Sequence, residues 1–134
     1  MFSSFFFYGG VGAFVLRLAL AAILIVHGSP KLAHPGETAK AFNGMGFRPG
    51  IFWGTVAGIV ELVGGILLAV GFFTACVSSV IALQFLVILV WRISMRHRFV
   101  GGWEFDLLIF GAAIFLALNG AGAFSLDRAF FFGW

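Results

Sequence analysis

The sequence predicts an all-α integral membrane protein, a four-helix bundle with a short interfacial helix in its first loop. Three observations carry that prediction. Hydrophobic residues make up 62% of the 134-residue chain and charged residues only 10%, against about 25% charged in an average soluble domain. Four apolar runs, at 11–26, 51–73, 75–91 and 105–118, approach or exceed the roughly 17–25 residues that a helix needs to cross a bilayer. No polar face divides these runs, and mean hydropathy is +1.13, so they read as spans rather than as core helices.

Taken in order, the spans are expected near 9–28, 52–73, 74–92 and 103–120. Residues 1–15 contain no Lys or Arg, so the first span does not begin as a cleaved signal would. The first loop is punctuated by Pro35 and Gly36 on one side and by Pro49 and Gly50 on the other. Between them, Phe42, Met45 and Phe47 alternate with Lys40, Asn43 and Arg48, the composition of a short helix lying on a membrane surface. No repeat, linker or low-complexity segment marks a boundary, so residues 1–134 are expected to form one domain. Lys31, Lys40 and Arg48 lie in the first loop and Arg92, Arg96 and Arg98 in the third. The turn between spans two and three has no basic residue, and the tail has only Arg128. Excess Lys and Arg mark the cytoplasmic side, which places both termini outside. The aromatic segments 5–8 and 130–134 would then anchor the outer interface.

Glu61 is the most informative single residue because it interrupts the second run. A carboxylate at the centre of a membrane helix costs roughly 2.5–3.5 kcal/mol on insertion scales, so it should face protein or a polar cavity. Helical phase supports this: Gly54, Gly58, Glu61 and Gly65 share one face. Gly10, Ala13, Arg17, Ala21 and Gly28 share a face of span one, and Gly102, Asp106, Ala113, Ala117 and Gly120 share one of span four. Small residues at these intervals let helices approach closely. Counted inward from the cytoplasmic ends at about 1.5 Å per residue, Arg17 and Glu61 both lie roughly 15 Å deep. They are therefore expected to pair, with Gln84 completing the network. His27, Lys31, Arg92, His97, Glu104 and Asp106 gather at the mouth below. The same pair also reads as a register device, since buried ion pairs can specify packing at little gain in stability.

Other classes of function find less support. Cys76 is the single cysteine, which excludes an intrachain disulfide, a Cys-x-x-Cys redox pair and a c-type haem attachment. The basic residues lie mostly in loops, as topology requires, and not on one face, so nucleic acid is not an expected partner. His27 and His97 lack a metal-ligand spacing, and no metal site is assigned. Trp53, Trp91, Trp103 and Trp134 fall near span ends, where an aromatic belt is expected.

The order of these pieces resembles the DoxX family of four-span bacterial and archaeal membrane proteins. The matching segments are Arg17, the stretch from His27 to Leu32, the stretch from Glu61 to Gly71, Glu104, and the stretch from Gly120 to Asp127. Ala121 departs from the pattern, since many members carry proline between the two glycines. The resemblance covers about residues 12–128. It implies a place in the inner (plasma) membrane, among membrane lipids and other membrane subunits. It also implies a subunit of a quinone-linked oxidoreductase of the thiosulfate:quinone type. The sequence holds no flavin, haem or iron–sulfur motif, so a quinone is the group implied, with no cofactor intrinsic to the chain. In this reading Glu61 and His27 are the catalytic, proton-handling residues. Arg17, Lys31, Gln84, Glu104 and Asp106 form the ligand-binding polar network. Two further readings stay open: a non-catalytic accessory subunit that packs its glycine stripes and Phe-rich ends into a larger complex, and a small solute or proton conduit.

Overall fold

The computed structural model describes residues 2–122 and 125–131, with side chains described from residue 10 onward except those of Arg128, Phe130 and Phe131. The aromatic anchors expected at 5–8 and 130–134 lie outside the described side chains. The elements are α1 (Phe2–Ala33), α2 (Pro35–Met45), α3 (Gly50–Val70), α4 (Thr74–Ser94), α5 (Glu104–Asn119) and α6 (Leu126–Phe131). Among the described residues, four helices are long and apolar enough to cross a membrane: Gly10–Ala33, Gly50–Val70, Thr74–Ser94 and Phe99–Asn119. The last includes an irregular lead-in, where Val100, Gly101 and Gly102 leave helical backbone angles. The all-α membrane bundle is thus as the sequence predicts.

The first span differs in length from expectation. Helix α1 does not stop at Gly28 but runs through Ser29 and Pro30 to Ala33. Proline forfeits one backbone hydrogen bond inside a helix. Nearby side chains re-bond to the carbonyls around it: Ser29 Oγ donates to Ile25 O at 2.7 Å and Lys31 Nζ to His27 O at 3.3 Å. The true break comes at His34, whose backbone (φ −125°, ψ 68°) leaves the helical region, which a following Pro35 disfavours. Helix α2 then opens with proline in its first turn and ends on left-handed Gly46, with Phe47 N–H bonded back to Phe42 O at 3.0 Å. None of its residues is buried, so it lies on the bundle's end, as an interfacial helix should.

Helices α1 and α3 pack antiparallel at close range because glycines meet backbone. A Cβ on Gly28 would stand 2.6 Å from the Leu62 amide nitrogen, and one on Gly65 would stand 3.1 Å from the Ala21 carbonyl oxygen. Helices α4 and α5 form the second closely packed pair. Between the pairs lies a core of Leu20, Leu24, Leu68, Ile81, Phe85 and Leu116, with smaller residues around it. Val56, Ile59, Val63, Ile66 and Val70 recur along the opposite face of α3 and remain exposed, the pattern of a surface meant for lipid tails. The bundle has two ends. The loop face carries α2 and the 95–103 connection, and the terminal face carries α6 and the 71–73 turn.

Candidate functional site

The expected pair of Arg17 and Glu61 does not form. Helix α1 reaches Ala33, which puts Arg17 sixteen residues, or roughly 24 Å, from its loop-face end. Glu61 is eleven residues, or roughly 16 Å, from the start of α3. Antiparallel packing instead sets Gly28 against Glu61 and Arg17 against Gly71. The two charged residues therefore serve opposite ends of the molecule.

At the terminal face, Arg17 is buried and donates Nη1–H to Ala121 O at 2.8 Å. Its guanidinium also lies 5.2 Å from the centre of the Phe14 ring and feels the charge of Asp127. Asp127, itself buried, accepts from Phe73 N–H at 2.6 Å and Thr74 N–H at 2.8 Å. Its two oxygens thus satisfy amides that open α4, where a negative charge also complements the helix dipole. Phe73 has a left-handed φ of 51°, unusual for a bulky residue, and the carboxylate holds it there. Gly71 completes the fit, since it has φ +71° and a Cβ on it would lie 2.8 Å from Arg17 Nη1. Sequence reasoning assigned Asp127 no role. Its partners sit more than fifty residues away, and only the absence of a polar residue at Phe73, before α4, hinted that the cap comes from elsewhere.

In the loop-face half, Glu61 is 2% exposed and spends both oxygens on side chains. Lys31 Nζ lies 2.5 Å from Oε2, and Gln84 Nε2 donates to Oε1 at 2.9 Å. The ion pair keeps the carboxylate compensated in a medium where an uncompensated charge is costly. Lys31 enters this position because α1 continues past Pro30, so its side chain turns back into the bundle. Its ammonium has three N–H groups; one goes to Glu61 and one to His27 O. Gln84's amide oxygen accepts no hydrogen bond among the described residues.

These groups border a cavity of about 470 Å³ between the two helix pairs. The volume is in the range that holds a drug-sized molecule. Its walls are largely aliphatic and aromatic, with Trp53, Phe85, Trp91 and Phe105 prominent, and Phe42, Met45 and Phe47 cover its loop-face end. Trp91 Nε1 donates to Met45 O at 3.0 Å, tying this cover to α4. Trp53 and Trp91 are therefore cavity residues, a role their positions at span ends did not reveal.

Asp106, His27 and Arg92 line the mouth. Asp106 Oδ2 lies 2.9 Å from Arg92 Nε, close enough for an ion pair but not aligned as a hydrogen bond, and it also feels His27 and Lys31. His27 stands 5.8 Å, centre to centre, from the Phe105 ring. The structure therefore brings together Lys31, Glu61, Gln84, His27 and Asp106. It leaves out Arg17, and also Glu104, which is exposed and accepts from Gly101 N–H at 3.0 Å to steady the lead-in to α5. Among the described residues, no group of three or more His, Cys, Asp or Glu side chains is placed to hold a metal ion.

Comparison with known proteins agrees with the architecture. The protein named "Putative oxidoreductase CatD" from Bacillus subtilis is 31% identical over 123 residues, covering 92% of this chain and 90% of its own. An uncharacterized protein of Haemophilus influenzae is 29% identical over 121 residues, covering 87% and 88%. The inner membrane protein YphA of Escherichia coli is 26% identical over 126 residues, covering 85% and 86%. No solved structure matches. The DoxX family pattern matches residues 12–93, from the start of the first span through Gln84 and Arg92, and on that match and the likeness to CatD the chain belongs to the DoxX family of membrane proteins.

Proposed function

We propose that the chain is the membrane subunit of a quinone-linked oxidoreductase, of the thiosulfate:quinone type, and that it holds a quinone- or lipid-like amphiphile in the loop-face cavity. The observation that carries this reading is a Lys31–Glu61–Gln84 cluster, built on the buried Glu61 carboxylate, with spare hydrogen-bonding capacity at the wall of an apolar cavity of about 470 Å³. The donor set suits a flat ring bearing carbonyl or hydroxyl groups. Lys31 Nζ has a third N–H for a carbonyl oxygen, and the Gln84 amide oxygen can accept from a hydroxyl. Trp53, Trp91 and Phe105 offer ring faces beside it. A quinone, when bound, supplies the ability to take up electrons and protons at its ring oxygens.

The chain's own residues bind, orient and handle protons. Lys31 orients the Glu61 carboxylate through the ion pair at Oε2, and that carboxylate is the proton acceptor beside the ring. His27 and Asp106, at the mouth, connect that carboxylate to the loop face. Electrons come from a cofactor on a partner subunit. The basic residues Lys40, Arg48, Arg96 and Arg98 lie at the loop face, which supports a cytoplasmic loop face, outward termini and a place in the inner membrane. The names of CatD and YphA are in keeping with a redox role and with that membrane.

The accessory-subunit reading uses the glycine stripes, Gly54 and Gly58 among them, and the Phe-rich ends as packing surfaces. Both glycines are consumed within the chain, Gly54 against Thr38 and Gly58 against Leu32 and Lys31. Glu61→Gln tests the preferred reading: quinone-linked turnover should fall while the chain still assembles in the membrane. Unchanged turnover would remove it.

A further inference from the structure

We infer that the tail of the amphiphile leaves the cavity sideways, between α3 and α4, and lies in a separate trough on the lipid-facing side of those helices. The inference rests on the cavity reading above. The trough has a volume of about 230 Å³ and is lined by Ile59, Val63, Gly64, Leu67, Cys76 and Val77. Val60 and Val80 border both the cavity and the trough, so the two spaces share a wall of two small aliphatic side chains.

Gly64 creates the trough. A Cβ there would lie 3.3 Å from Ile81 Cδ1 and 3.4 Å from Val77 Cγ1, so any longer side chain would fill the gap between α3 and α4. The cavity alone accommodates a ring-sized head but not a long chain as well, so a tail must exit. The loop-face exit is charged by Lys31, Arg92 and Asp106 and covered by Phe42, Met45 and Phe47. An apolar chain passing there would meet those charges and then water. The lateral exit is aliphatic throughout and opens on lipid. From Val60 to Leu67 it runs about 10 Å along α3, away from the charged loop face. A head at Glu61 and a tail in the trough therefore each meet groups of their own polarity.

The chain carries its own reporter for this site. Cys76, its single cysteine, is exposed on the trough wall. In nanodiscs, the full-length protein is titrated with duroquinone, a fully substituted ring without a tail, and with decylubiquinone, which has one. Tryptophan fluorescence reports the head, because Trp53 and Trp91 line the cavity. Reaction of Cys76 with a lipid-soluble maleimide reports the tail. Both quinones should quench fluorescence saturably. Only decylubiquinone should slow Cys76 labelling, by about tenfold when present at about ten times its Kd. Val63→Trp, at a position 46% exposed to lipid and so tolerant in folding, should weaken decylubiquinone about tenfold and leave duroquinone unchanged. Saturable quenching by both quinones with equal labelling rates would overturn the trough while leaving the cavity reading intact. No saturable quenching and no protection would overturn both.

Discussion

The two ends of this bundle bury charge for opposite purposes. At the terminal face, Arg17 Nη1 and both Asp127 oxygens bond to backbone, with Gly71 packed so tightly against the guanidinium that a methyl group would not fit. In the loop-face half, Lys31, Glu61 and Gln84 bond to one another and border open space, with a Lys31 N–H and the Gln84 oxygen left over. A charged side chain in a membrane helix is thus no sign of a site by itself. Spare hydrogen-bonding capacity facing a void separates the second arrangement from the first.

Breaking the terminal clasp should produce the largest loss of stability. Asp127→Ala removes the cap from Phe73 and Thr74 and a charge that Arg17 feels, and should cost about 3–5 kcal/mol. A melt in detergent that matches the wild type would refute the capping role. Gly28→Ala comes next, because its Cβ would press on the Leu62 backbone and push α1 from α3, at about 1–3 kcal/mol; denaturant titration would show it. Gln84→Leu sharpens the contrast. It removes one hydrogen bond to a charged group, worth about 1.5 kcal/mol, and the acceptor for a ring hydroxyl, so it should depress hydroquinone binding more than Asp127→Ala does. The smallest effect belongs to Trp91→Phe. It loses the bond to Met45 O, about 1 kcal/mol, and should show as faster amide exchange confined to α2.

Much of this was legible in the chain. Composition and run length indicated the four membrane helices, Pro35–Gly36 and Pro49–Gly50 bracketed the interfacial helix, and the cost of burying Glu61 demanded a partner. The identity of that partner was not legible, because Pro30 reads locally as a stop. Depth counted from Gly28 sets Arg17 level with Glu61; carrying the helix to Ala33 moves Arg17 five residues deeper, about one and a half turns, and swings Lys31 inward. Proline near a helix end costs little when Ser29 and Lys31 re-bond nearby carbonyls, and sequence pattern does not weigh that compensation. Asp127 escaped for a different reason. A carboxylate that caps a helix begun more than fifty residues earlier leaves no local signature, and its place in the pattern from Gly120 to Asp127 marked the residue without disclosing its task.

The central claim is that the loop-face cluster, and not the terminal clasp, is a ligand site. The most direct measurement is the Kd for duroquinol, the reduced ring whose hydroxyls can donate to Gln84, in nanodiscs, read by tryptophan fluorescence for wild type, Gln84→Leu and Asp127→Ala at a temperature where all three are folded. The account predicts that Gln84→Leu weakens binding about tenfold, equivalent to about 1.4 kcal/mol, while Asp127→Ala leaves it unchanged. Equal weakening in both variants, or no saturable binding to the wild type, would contradict it.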